Sequence, residues 1–426
     1  MSQFSSVKSR IKTAARYLIS GRVSKYFEDE YIGISFKKLV PSFDERTSPP
    51  RINIITPTLS SHSSFGGIST LIELPLRVFS SNLLPSGWRI RIICFEERPS
   101  DCDNIGLSYI AKIGIDPSLV EFHFVGIKGR PVPVGAADVF LGSLWFHFYS
   151  ARPLLEFQKD LNNGIPISYV SLFQDYEASF NQWSSAFMLA RAMYESDWPM
   201  VHIFNSKELA SYFSDQGHPV RKQCTFEPVM NSSLRSALIQ TPPSTKRKCI
   251  IFYGRPESQR NCYYLARAAL EEWSETFSNS KSWEVVSVGQ SYPSFTLRNG
   301  CKVNVQGKLS LDEYSEQLRR AAVGLSLMAS PHPSYPPLEM AHFGALTVTN
   351  SFPSKNLSNW HENIISVDLC DPSHLAAALT EACKRFEHDA ECGLRGKSLK
   401  SGYLQNYDTK LLSACAKLIE ECVTPT

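Results

Sequence analysis

Cysteine pairs at metal-binding or redox spacing are missing from this 426-residue chain: its 11 cysteines are odd in number, scattered, and never stand as C-x-x-C. That argues against a zinc site or a disulfide framework and reads as reduced thiols in a cytoplasmic protein. Also missing is any apolar run of the ~18 residues that a membrane span needs, and the N-terminus has no apolar core of a secretory signal. Charge of one sign is nearly balanced, with a formal net charge of +3. This is not the basic stripe of a nucleic-acid-binding protein. No low-complexity tract and no short fixed repeat is found. No G-x-S-x-G nucleophile elbow appears.

What is present is an ordinary globular composition, 43% apolar and 12% aromatic, in a chain long enough for about two or three domains. Residues 7–19 read as a basic amphipathic helix: Val7, Ile11, Ala14, Ala15 and Leu18 share a face flanked by Lys8, Lys12 and Arg16. Such a helix either lies on anionic lipid at the inner membrane face or docks its stripe on the protein's own core. A proline-bounded polar linker spans 41–50.

Short apolar strands then alternate with helices: 52–56, 89–95, 120–125, 138–144, 167–173 and 201–204, with a helix over 69–79. The segment TPPSTKRK, Thr241–Lys248, interrupts the pattern. It restarts with strands at 249–253, 283–288, 302–305, 323–328, 346–349 and 364–367. A capping box, Ser310 to Glu313, opens a helix with an inward stripe of Leu311, Tyr314, Leu318 and Ala321. A last helix, 400–423, is long enough to cross back to the first half. The expectation is two doubly wound α/β domains facing each other across a cleft lined by the carboxyl-end loops of their strands. The domains read as an N-terminal helical segment at 1–44, a first Rossmann-like domain at 45–240, a second at 249–399, and a C-terminal helix at 400–426.

Four segments should carry chemistry. Phe65-Gly66-Gly67-Ile68 follows the first strand, where paired glycines let backbone amides approach a phosphate. The loop is neither G-x-G-x-x-G nor a Walker loop, which disfavours a nicotinamide dinucleotide. Gly254-Arg255 follows the first strand of the second domain, with Arg260 near the next helix. The planar guanidinium fork suits a diphosphate. Lys308, in Gln306-Gly307-Lys308-Leu309, offers a second positive charge. Glu339 sits in the first turn of a helix entered through Tyr335-Pro336-Pro337, where its charge meets the helix dipole and its oxygens suit the hydroxyls of a nucleotide sugar. On the first domain, Asp175 and Glu177 follow a strand on the ligand side and are candidate acceptor contacts or base. His62, His147 and His332 are further acceptor-side candidates. Asp101-Cys102-Asp103 spells D-x-D but reads as a chance match.

These pieces resemble the GT-B glycosyltransferases of glycosyltransferase family four, whose common motif is E-G-F-G-L-P-P-L-E-A-M-A-x-G. Here the stretch is Pro331-His332-Pro333-Ser334-Tyr335-Pro336-Pro337-Leu338-Glu339-Met340-Ala341. Glu339 matches the second glutamate of the family's pair, and Pro331 stands in place of the first. The string S-P-H-P-S-Y-P-P-L-E, with Y-G-R-P and Gln174-Asp175-Tyr176-Glu177, is similar to the WsaF branch of bacterial rhamnosyltransferases, over roughly residues 45–400. The resemblance implies transfer of L-rhamnose from dTDP-β-L-rhamnose to a growing surface polysaccharide of the O-antigen kind. It implies retention, and neither a cofactor nor a metal. The acceptor would be a saccharide that is free or lipid-linked. Donor contacts would come from Gly66, Gly67, Gly254, Arg255, Arg260, Lys308, Ser334, Tyr335 and Glu339. Two rival readings of the frame are a nucleotide-sugar epimerase or hydrolase, and a non-catalytic two-lobed sugar-binding protein.

Overall fold

The computed structural model describes residues 38–44, 49–61, 66–220 and 222–423. The basic segment 7–19 and His62 lie outside the described residues. Two compact units account for the fold. The first comprises the described residues up to Asn205, with Phe213–Phe226 and Tyr407 onward; the second comprises Ser206–Tyr212 and Glu227–Asn406. The Thr241–Lys248 segment lies inside the second unit, between a helix and the strand that begins at Arg247.

In the first unit the chain runs β1 (Pro41–Phe43), β2 (Arg51–Thr56), α1 (Gly66–Ser80), β3 (Arg89–Cys94), α2 (Ile105–Ile113), β4 (Val120–Phe124), β5 (Val132–Val134), β6 (Asp138–Gly142), α3 (Trp145–Leu161), β7 (Tyr169–Phe173), α4 (Ser185–Tyr194) and β8 (Met200–Asn205). After α5 (Lys207–Asp215) comes β9 (Gln223–Phe226). Seven of these strands form one parallel sheet in the order β4-β3-β2-β6-β7-β8-β9. The reversal of order falls between β2 and β6. Largely apolar strands buried along their whole length, such as DVFLG and YVSLF, suit a sheet covered on both faces.

The proline-bounded stretch read as a linker contains a strand instead. Pro41–Phe43 pairs in parallel with Val132–Val134 as a separate two-stranded sheet. Both segments carry proline, which short edge strands tolerate because one side needs no ladder donor.

The second unit runs α6 (Ser232–Gln240), β10 (Arg247–Gly254), α7 (Tyr263–Thr276), β11 (Glu284–Gly289), β12 (Asn304–Gly307), α8 (Leu311–Arg320), β13 (Ala321–Leu325), α9 (Pro336–His342), β14 (Leu346–Asn350), β15 (Ile364–Val367) and α10 (Pro372–His388). Its parallel sheet has the order β12-β11-β10-β13-β14-β15, so the reversal lies between β10 and β13. Period-two alternation divides its core. Ile250 and Phe252 join one cluster with Trp273, Val323 and Leu375, while Cys249 and Ile251 join another with Val286, Leu318 and Met340. The expected stripe of α8 is corrected at both ends: Leu311 is exposed, and Ala321 already belongs to β13. The capping box forms as the sequence reads, with Ser310 Oγ accepting from Glu313 N. The final helix, α11, begins at Thr409 and not at residue 400; its Cys415, Ala416, Ile419 and Cys422 complete the first unit's core.

Beneath the first sheet, at the amino ends of its strands, lies a buried charge network. Arg51 donates to both oxygens of Asp138, at 2.9 and 2.8 Å. Arg91 donates to Asn53 Oδ1 at 2.7 Å and lies 3.6 Å from Asp138. This network faces away from the carboxyl-end loops and serves the fold.

Candidate functional site

In open α/β sheets, ligands bind outside the carboxyl ends of the strands where strand order reverses. In the second unit those strands are β10 and β13, and the sequence places its most distinctive residues directly after them. Gly254 closes β10, where a side chain would collide with Ser287 Oγ and Tyr292 OH. Arg255 follows. Its stem lies over Gly289, the last residue of β11, where φ is +116° and an added Cβ would stand 3.1 Å from Arg255 Cγ. A larger residue at 289 would therefore push the guanidinium from its seat. Arg260 ties the two loops together: its carbonyl accepts from Ala329 N at 2.8 Å.

After β13 the chain crosses Ser326–Ser334. His332 N donates to Ser330 Oγ at 3.0 Å, and Ser334 N donates to His332 Nδ1 at 3.0 Å. The second bond makes Nδ1 the acceptor and leaves the proton on Nε2. Burial, with Lys355 and Arg260 nearby, drives the imidazole down to about 3. His332 is thus a neutral pin of the loop and not a base at neutral pH. Ser334 sits at φ +70°, an uncommon backbone state that such over-determined loops hold. Tyr335 then caps α9, its ring 5.7 Å from that of His332.

Glu339 lies in the first turn of α9, buried, and accepts from Tyr314 OH at 3.1 Å. Burial raises its carboxyl to about 7, and the Tyr314 bond partly offsets that. Burial raises the phenol of Tyr253, Arg255 and Arg260 oppose that and Glu339 adds to it, so these three side chains lie within electrostatic reach of one residue. Lys308 is exposed just after Gly307, the end of β12.

The raised Glu339 carboxyl has a consequence for stability. A folded-state value above the usual 4.5 means that the native protein holds this proton more tightly than the unfolded chain. The contribution is full below about pH 4.5 and is lost as pH rises through about 7. Between pH 5 and 8 the wild type should lose stability relative to Glu339→Gln by on the order of 3 kcal/mol, read from urea denaturation midpoints. Parallel pH curves would contradict it.

In the first unit, Gln174 Nε2 donates to Gly67 O at 2.7 Å. This joins the loop after β7 to the start of α1, after β2. Asp175 is buried, with Oδ1 accepting from Tyr176 N at 2.9 Å. Glu177 turns inward and caps α3, its Oε2 accepting from Trp145 N at 2.7 Å. His147 caps the same helix: Nδ1 accepts from Ser143 N and Leu144 N, and burial lowers it to about 3. Both residues therefore build the loop. Tyr176 OH lies 3.0 Å from His218 Nε2, and His218 Nδ1 lies 3.5 Å from Glu195, a chain that fixes the segment carrying Asp175. In the D-x-D stretch, Asp101 pairs with Arg98 and Asp103 accepts from Ser100 Oγ, on an exposed turn.

Sequence reasoning gave no role to Gln174, Tyr253 or His218, and it placed Tyr314 only as a stripe residue. Tyr314 and Glu339 are 25 positions apart, and only the packing of α8 beside α9 joins them.

Two parallel sheets in Rossmann order, each with these loops at its switch strands, define the class: the fold is that of the GT-B glycosyltransferases. Sucrose-phosphate synthase from Thermosynechococcus elongatus is similar at a TM-score of 0.53, 12% identity, covering 88% of this chain and 94% of that one. HepE from Anabaena, solved in complex with UDP, is similar at 0.51 and 11% identity, covering 88% and 94%. These identities speak for the fold alone. The family is narrower. Residues 51–207 match the WsaF N-terminal domain and residues 248–380 the WsaF C-terminal domain, together more than half of the chain. The chain belongs to the WsaF family. It is also 31% identical over 211 residues to the O-antigen biosynthesis protein RfbC of Myxococcus xanthus, across 49% of this chain. It spans only 16% of that relative's length. Among the described residues no helix is long and apolar enough to cross a membrane.

Proposed function

We propose that this chain is a glycosyltransferase of bacterial surface-polysaccharide synthesis, moving L-rhamnose from dTDP-β-L-rhamnose to a saccharide acceptor with retention. The observation that carries this reading is the placement of Arg255, Arg260 and Glu339 beyond the two switch strands of the second unit. Membership of the WsaF family supports it, as does the relative named for O-antigen biosynthesis. HepE, on the same fold, has been solved with UDP-glucose.

In this reading, departure of the nucleoside diphosphate builds negative charge on its phosphate oxygens. Arg255 and Lys308 meet that charge, and Arg260 adds to the local field. These cations supply the neutralisation that other transferases take from a metal ion. Glu339 accepts from hydroxyls of the nucleotide sugar, with Tyr335 and Ser334 shaping the wall beside it. Gly66 and Gly67 offer backbone amides, and Asp175 serves the acceptor. Pro331 brings no carboxylate where the common motif has one, which favours a donor sugar with fewer hydroxyls to satisfy, such as a 6-deoxyhexose.

Calorimetric titration tests the nucleotide. dTDP should bind at least about tenfold more tightly than UDP, a difference of about 1.4 kcal/mol. Equal binding would remove the dTDP assignment. Consumption of dTDP-rhamnose at full rate without an acceptor would mark a hydrolase or epimerase instead.

A further inference from the structure

A cavity of about 690 Å³ opens in the first unit at the carboxyl ends of β3 and β4, within the size range of small-molecule sites. Its residues have no part in the site described above. Its floor is aromatic: Phe122 and Phe124, alternate residues of β4, have ring centroids 6.2 Å apart and planes 7° from parallel. Its rim is cationic, with Arg98, Lys128 and Arg130. One carboxylate, Glu97, also lines it, but its Oε1 accepts from Ile127 N at 2.9 Å and so holds the loop that presents Lys128. Arg98 pairs with Asp101 at 3.1 Å on the open side. The lining still carries more positive than negative charge. Asn104 fixes the wall, its Oδ1 accepting from Gly106 N and Leu107 N at the start of α2.

The combination selects a ligand class. A neutral sugar would cover the rings but leave the cations without a counter-charge. An inorganic anion would meet the cations but leave the aromatic floor wet. A phosphorylated saccharide satisfies both, its pyranose face on the rings and its phosphate oxygens on the basic rim. We propose that this pocket binds the phosphate or diphosphate end of the acceptor saccharide. The inference rests on the glycosyltransferase reading and deepens it. Ile127, 87% exposed directly before Lys128 of the rim, offers an apolar contact to a lipid tail where the phosphate is lipid-linked.

The test uses the full chain saturated with dTDP, titrated with three probes: farnesyl diphosphoglucose, glucose 1-phosphate and methyl glucoside. Wild type should bind at least one phosphorylated probe about tenfold or more tightly than the neutral glycoside. The Lys128→Gln, Arg130→Gln double variant should lose about tenfold of that affinity while its dTDP affinity stays unchanged. Preference for the farnesyl probe identifies a lipid-linked phosphate as the source; equal binding of both identifies the sugar phosphate itself. Both substituted residues are exposed, so the variant should keep the wild-type melting midpoint. The proposal is overturned if the double variant binds the phosphorylated probes as wild type does, or if methyl glucoside binds as tightly as they do. Should dTDP fail to bind while the double variant still loses the phosphorylated probes, the donor reading falls and the pocket stands.

Discussion

Asp138→Ala should destabilise the first unit by about 3–5 kcal/mol, measured as a shift of its urea transition. Asp138 is only 1% exposed and lies beneath the sheet between two arginines. Arg51 holds both of its oxygens, Gly135 N donates to one of them at 2.9 Å, and Arg91 stands 3.6 Å away. Removing the carboxylate leaves two buried guanidinium groups close together, balanced by the more distant Asp44, 3.4 Å from Arg51, and the half-exposed Glu121. Burial already lowers Arg91 to about 10, with Arg51 pushing the same way and Asp138 opposing. Glu121 touches the network at 3.3 Å but is 43% exposed, so Glu121→Gln should cost no more than about 1 kcal/mol. A loss below about 1 kcal/mol for Asp138→Ala would show that solvent reaches the arginines, contrary to the packing described.

The architecture was largely legible because parallel sheets covered on both faces leave apolar strands, and twelve of the thirteen strands in the two large sheets begin within a few residues of their apolar runs. What escaped had little apolar signal. β9 is four residues, QCTF, and β1 and β5 are three each, with proline in both. Residues 400–408 read as helix but form turns before Thr409.

For the site, legibility followed position along the strand. Arg255 stands directly after a strand and Glu339 in the first turn of the next helix, positions that can be read from the pattern. The partners that tune them cannot. Tyr314 reaches Glu339 from another helix, and Gly289 seats Arg255 from the neighbouring strand. Glu177 and His147 looked like ligand-facing groups because they flank strands, yet both turn inward to cap α3. Residue type and local position are alike for a cap and a ligand contact, and only side-chain direction separates them.

The central claim concerns charge. If a diphosphate leaves from the second unit's switch strands, its developing charge must be met by Arg255 and Lys308. Each lost donor of this kind costs about 10²–10³ in rate, so the Arg255→Ala, Lys308→Ala double variant should lose at least about a thousandfold in kcat/KM. Lys308 is exposed and Arg255 lies at the mouth of the sheet, so the variant should fold and melt as wild type does. The decisive measurement is the rate of dTDP release from dTDP-rhamnose by wild type and double variant, each with a saccharide acceptor. A loss of about three orders of magnitude or more in a folded variant is the result expected. Release at wild-type efficiency would contradict the account.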